Sequence, residues 1–273
     1  MNYFRAIRET GERSARVLAL TAEILEYNAA HYTVWSVRRQ CLYSLGEGLL
    51  EDELDYSEMV ASSNPKNYQI WYHRRDILEK MSSTETARRE LEFIARMLAS
   101  DAKNYHAWSH RLWVLKRFEC WDRELLYVDA LLDEDAWNNS AWNHRYAVAT
   151  RLSLSPEAEV AYAVKRASLA PRNEAPWVYA LAVARLDSPD ALSDLRAACE
   201  ALLVDEIDPP DRACARMTLV DLDADLDTPE ALHKAADHAT KLAEDEDAFR
   251  AKYWTRRAQT LQDRAKNLLA TTK

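Results

Sequence analysis

The stretch NPKNYQIWYHRR runs from Asn64 to Arg75, and much of it returns as KNYHAWSHR at Lys103–Arg111. Met once, such a density of amide, phenol, imidazole and guanidinium groups reads as an active site. Met twice, it reads as a building unit. Aligning the chain on tryptophan decides between them. Trp35, Trp71, Trp108, Trp142 and Trp177 stand 36, 37, 34 and 35 residues apart, and Trp254 lies 77 further on, room for one degenerate unit near DRACARMTLV. Three positions after Trp comes Arg38, Arg74, Arg111, Arg145 and, in the last unit, Arg257. Four before it comes Asn67, Asn104, Asn138 and Asn173; three before it comes Tyr32, Tyr68 and Tyr105. A fixed period of this length is the signature of stacked helical hairpins.

Each unit reads as two helices. An amphipathic segment comes first: Val17, Leu18, Thr21, Ile24 and Leu25 share one face, as do Leu125, Val128, Leu131 and Leu132. A short turn rich in Asn, Asp or Pro follows, and its Asn is placed to cap the second helix. That second helix carries Trp and Arg one turn apart. The spacing therefore predicts an all-α chain of about seven helical hairpins, a solenoid that buries its core by stacking neighbours. Only three Gly occur in 273 residues, too few for the turns and bulges of a sheet protein of this size.

Bulk properties narrow the function classes. The net charge is −9 and the C-terminal third is acidic, as in DLDADLDTPE, which argues against a nucleic-acid footprint. Cys41, Cys120, Cys199 and Cys214 lie far apart, with no C-x-x-C pair to suggest a zinc cluster or a disulfide framework. No signal peptide or apolar run of membrane-spanning length is visible. A soluble, cytoplasmic protein is expected. The chain opens on MNYFRAIRE, already helical in pattern, so an N-terminal extension is expected to be absent or trimmed.

The repeat itself sorts structure from site. A residue that recurs in unit after unit does the same structural job each time. By that test Trp35, Trp71, Trp108 and Trp142 are core, and Arg38, Arg74, Arg111 and Arg145 tie neighbouring turns or carbonyls together, a task suited to a guanidinium. His73, His110 and His144, each two after Trp, are structural by the same test. The variable positions lie five and two before Trp. Only the second and third units combine Lys with a polar residue there: Lys66 with Gln69, and Lys103 with His106. Both pairs fall at a helix N-terminus, where free N–H groups and the helix dipole favour anions. A phosphate or diphosphate site and a pair of solvated turn lysines both fit. No metal-binding pattern, catalytic triad, Walker A loop or Rossmann fingerprint is present.

These motifs resemble a known family. HYTVWSVRR, PKNYQIWYHRR, DAKNYHAWSHR and NNSAWNHRY, with the connecting segments RRELEFIARMLASDAKNYHAW and WDRELLYVDALLDED, are similar to the repeats of the α subunit shared by protein farnesyltransferase and protein geranylgeranyltransferase type I. The likeness is close over roughly residues 2–186 and loose beyond. It implies a single repeat domain over 1–273, with motifs near 28–39, 64–75, 101–111, 135–145, 170–180 and 247–257, wound as a right-handed, crescent-shaped α-α superhelix around a β subunit. It also implies transfer of a farnesyl or geranylgeranyl group from its diphosphate to the Cys of a C-terminal C-a-a-X motif. Zinc would lie in the β subunit, and magnesium would accompany the diphosphate. Within the resemblance Lys66 matches the cation that stabilises the departing diphosphate, and Tyr68 lines the active site. Gln69 matches the residue that binds the peptide carboxylate. Asn104, Tyr105 and His106 match residues near the isoprenoid and diphosphate, and Tyr32 a peptide-side aromatic. The chain departs from the family at His31, where Asn is usual, and at Ala180, where the motif Arg is lost, and it is expected to lack the family's proline-rich N-terminal extension. Two other readings stay open: the α subunit of Rab geranylgeranyltransferase, whose repeats are looser here, and a non-catalytic solenoid adaptor.

Overall fold

The computed structural model describes residues 2–186, 188–204 and 206–271, and these form fifteen α-helices and no strand. After α1 (Asn2–Thr10) the helices pair as seven hairpins. They are α2 (Ala15–Tyr27) with α3 (Tyr32–Leu45), α4 (Leu50–Ser63) with α5 (Tyr68–Met81), and α6 (Thr84–Ser100) with α7 (Tyr105–Phe118). Then come α8 (Glu124–Glu134) with α9 (Asn139–Leu152), α10 (Pro156–Leu169) with α11 (Glu174–Ala184), α12 (Pro189–Ala201) with α13 (Pro209–Asp225), and α14 (Pro229–Lys241) with α15 (Ala251–Thr271). The chain divides into two compact units, Met1–Arg123 and Glu124–Lys273.

Local chemistry starts and stops these helices as the sequence predicts. Asn67, Asn104, Asn138 and Asn173 are N-caps whose side chains accept from backbone N–H groups two or three residues on. His31, at the same register, caps α3 without a side-chain bond. Helices α5, α7 and α9 end on Ser82, Glu119 and Ser153 in the left-handed region, at φ of 49°, 55° and 52°. These are turns that other chains commonly give to glycine, which accounts for a helical hairpin protein with so little of it.

The recurring Trp and Arg do the jobs that repetition implies. Trp35, Trp71 and Trp142 are buried, and each indole N–H donates to the carbonyl six residues earlier: Ala29, Pro65 and Ala136, at 2.8, 2.9 and 2.9 Å. Trp108 makes the same bond to Ala102 but stands half-buried on the last helix of its unit, a correction to its expected place in the core.

Arg38, Arg74 and Arg145 each meet a buried glutamate that the sequence reading passed over. Arg38 on α3 grips Glu53 on α4 through Nε and Nη2, at 2.7 and 2.6 Å, while its Nη1 donates to the Leu18 carbonyl on α2 at 3.0 Å. His73 on α5 closes the set, with Nε2 2.6 Å from Glu53 Oε1. Arg39 donates to His73 Nδ1, so the imidazole proton sits on Nε2 and the ring is neutral. One unit on, Arg74 grips Glu90 with the same two-pronged contact, reaches back to the Leu54 carbonyl at 2.6 Å, and His110 bonds Glu90 at 2.8 Å. An aromatic ring covers each guanidinium: Tyr56 over Arg38 and Phe93 over Arg74, both at 3.9 Å. Every such group ties three or four helices into one register.

The second unit keeps the plan and varies the parts. Arg145 holds Glu159, with Tyr162 stacked on it at 3.5 Å, but Tyr179 takes the place of histidine and Asp129 that of the carbonyl. Ala180, where Arg is lost, is fully buried. In the degenerate unit Arg216 is the buried arginine, paired with Glu246 at 2.5 Å. Glu246 ends a π-helical turn, Leu242–Glu246, rather than sitting on an ordinary helix. Arg257 does not rebuild the group: it is a third exposed and lies 3.5 Å from Asp221. Around Trp254 the core is dominated by alanine, including Ala235, Ala236, Ala239 and Ala265, which lets helices approach closely.

Two outcomes test this frame. Glu90→Ala leaves the buried Arg74 without its carboxylate and should lower the free energy of unfolding by about 3–5 kcal/mol; denaturant titration of both chains measures it. Burial alone would push the Glu90 carboxyl up, but Arg74 and His110 hold it down, to about 2. Its contribution is therefore full above the ordinary value of 4.5 and lost as pH falls from there toward 2. Burial also holds His73 below its ordinary 6.5, so the unfolded chain takes up that proton first and stability begins to fall below pH 6.5. Melting temperature should drop in both ranges between pH 7 and pH 3, and Glu90→Gln should flatten the lower one.

Candidate functional site

With the Trp, Arg, Glu and His of each hairpin committed to packing, the groups left free lie at the turns before α5 and α7. The first turn is Asn64–Asn67. It closes with a bond from Asn67 N–H to the Asn64 carbonyl at 3.0 Å, and Asn64 Nδ2 donates to Val60 O at 3.1 Å. The carbonyl of Pro65, beside Lys66, accepts two N–H groups, from Trp71 at 2.9 Å and from Asn104 Nδ2 at 3.1 Å. The second turn, Asp101–Asn104, is built alike: Asn104 N–H bonds the Asp101 carbonyl at 3.0 Å, and Asp101 Oδ1 accepts Lys103 N–H at 3.2 Å. The Asn104 amide thus caps α7, through His106 and Ala107, and staples the two turns together.

On this rigid base the side chains project. Lys66 is 79% exposed, its Nζ 3.8 Å from Asp101 Oδ2. Tyr32, Tyr68 and Tyr105 are the first residues of α3, α5 and α7, and they are 69%, 63% and 75% exposed. The same ring is thus left out of the core at the same place in three successive hairpins. His106 is half-buried, its ring edge-on to Tyr105 at 5.6 Å between centroids. No acidic residue occupies the first turn of α3, α5 or α7, whereas α4, α6 and α8 each carry at least one. The positive ends of α3, α5 and α7 therefore carry no acid in their own first turn, and Lys66 and Lys103 add charge of the same sign before α5 and α7.

The structure brings Lys66, Tyr68, Asn104, Tyr105 and His106 onto two joined turns. Tyr32 opens α3, which packs on α5. Two candidates sit deeper than their assigned roles suggest. Gln69 is 9% exposed and Asn104 only 2%, with the Asn104 amide engaged at both ends within the protein. The glutamates Glu53, Glu90, Glu124 and Glu159 were missed, although their spacing of 37, 34 and 35 residues repeats the period of the tryptophans. Among the described residues no three His, Cys, Asp or Glu side chains come together as a metal-holding group, and no helix is long and apolar enough to cross a membrane.

Comparison with known proteins agrees with this fold. Residues 14–45, 50–81, 87–118 and 121–152 each match the protein prenyltransferase alpha subunit repeat. The protein farnesyltransferase/geranylgeranyltransferase type-1 subunit alpha of Schizosaccharomyces pombe is 42% identical over 90 residues, 33% of this chain and 29% of that protein. The geranylgeranyl transferase type-2 subunit alpha of Mus musculus is 37% identical over 93 residues, 31% of this chain and 16% of that protein. The chain thus aligns with less than a third of the length of the curated relatives it matches. Among solved structures, a chain of Candida albicans protein geranylgeranyltransferase-I complexed with GGPP superposes with a TM-score of 0.80 at 28% identity, covering 94% of this chain and 87% of that one. The four matched segments fall hairpin for hairpin on α2 through α9, and residues 14–152 of the chain belong to the protein prenyltransferase alpha subunit repeat family.

Proposed function

We propose that this chain is the α subunit of a heterodimeric protein prenyltransferase of the farnesyltransferase/geranylgeranyltransferase type I class. One observation carries the reading: an exposed Lys66 on a pinned turn, at the N-terminus of a helix with no acid in its first turn, within protein prenyltransferase alpha subunit repeats. In the reaction a prenyl group passes from its diphosphate to a C-terminal cysteine thiolate. As the C–O bond breaks, negative charge collects on the diphosphate. An ammonium already in place there stabilises the transition state more than the ground state.

Lys66 supplies that charge. Tyr68, Tyr105 and His106 line the same face beside the isoprenoid and its diphosphate, Tyr32 lies on the peptide side, and Gln69 meets the peptide carboxylate. Asn104 holds the two turns in register, which is the part its buried amide supports best. The β subunit would bring the zinc that makes the thiol nucleophilic, and magnesium would accompany the diphosphate. The pair would work in the cytoplasm.

Co-expression with candidate β subunits, and assay of each purified pair with farnesyl and geranylgeranyl diphosphate and with C-a-a-X peptides, tests the proposal. Transfer by at least one pair is expected; none from any pair overturns it. In the active pair Lys66→Ala should slow single-turnover transfer by about 10²–10³ while assembly stays intact. A native single-turnover rate would remove Lys66 from the reaction.

A further inference from the structure

We propose that Asp101 is a positioning residue for Lys66, holding its ammonium where the diphosphate leaves. This rests on the reading of Lys66 given above. Lys66 carries a long, flexible side chain at an exposed turn, and such a chain does not place its charge by itself. Asp101 is the group that meets it, with Oδ2 3.8 Å from Nζ.

Asp101 is well suited to fix a direction. Its backbone N–H donates to Met97 O at 3.0 Å, its carbonyl accepts Asn104 N–H at 3.0 Å, and its Oδ1 accepts Lys103 N–H at 3.2 Å. Three bonds thus hold the residue and leave Oδ2 for the lysine. The two turns cannot drift apart, because Asn104 Nδ2 donates to the carbonyl of Pro65, the residue before Lys66, at 3.1 Å.

The repeat shows that the charge at Asp101 exceeds what the turn requires. Seven residues before Trp the chain has Asn28, Asn64, Asp101 and Asp135 in its first four motifs, so an amide and a carboxylate both serve the turn. Asn28 Oδ1 accepts Ala30 N–H at 3.1 Å, the same turn bond that Asp101 makes to Lys103, so a neutral amide suffices for it. Lys103, at the register of Lys66 one hairpin on, meets no carboxylate side chain among the described residues of Met1–Arg123. The pair therefore marks Lys66 out from the other lysine that the sequence placed beside it.

Asp101→Asn in the assembled heterodimer tests the inference, since Asn keeps the turn bond and removes the charge. The single-turnover rate at saturating prenyl diphosphate should fall about three- to fivefold, the upper range for an exposed ion pair. The melting temperature should not move. In a Lys66→Ala background the same change should cost nothing further, because Asp101 acts only through Lys66. A native or faster rate for Asp101→Asn, or an equal fractional loss on top of Lys66→Ala, overturns the inference. A native rate for Lys66→Ala overturns the diphosphate reading instead, and this inference with it.

Discussion

A carboxylate taken out of water must have its oxygens satisfied by fixed donors, and this requirement organises the protein. Glu53 and Glu90 are each buried, each gripped by two N–H groups of an arginine from the preceding hairpin and by an imidazole from their own. Such a set adds little net stability over a well-packed apolar core. What it gives is register. A hairpin shifted by one residue would strand a buried charge, so hairpins of similar sequence dock in one way only.

That constraint divides the motif between structure and site. Trp, Arg and His on the second helix, and Glu and an aromatic on the first, are committed in unit after unit. Only the turn and the first residues of the second helix escape it. The residues proposed to act, Lys66, Tyr68 and Tyr105, are drawn from there, and their backbone is held by the pinned turns. A site built on pinned turns needs little reorganisation to receive a charged ligand.

The later hairpins show the same physics under relaxed constraint. Tyr179 replaces histidine at the buried glutamate, Ala180 replaces the arginine, and Glu246 reaches Arg216 from a π-helical turn. Where the ion set thins, alanine packing takes over around Trp254. The family match stops at residue 152, ahead of these changes.

Period and composition alone determined the helical hairpins, their number, the Asn caps and the burial of most tryptophans, because these follow from local backbone chemistry and from which residues recur. Three things needed the fold. The glutamate partners lie 14 to 16 residues from their arginines on another helix, as in Arg38–Glu53, Arg74–Glu90 and Arg145–Glu159, a distance that only hairpin docking closes. Trp108 and Arg257 each keep the motif's residue, yet Trp108 differs in burial and Arg257 in burial and partner, because neighbours set both. Lys66 and Lys103 read alike as a pair of cations at helix ends; it took the stapling of two turns by Asn104 to place a carboxylate beside Lys66. Repetition fixes what every unit must do, and tertiary contact decides which unit does something more.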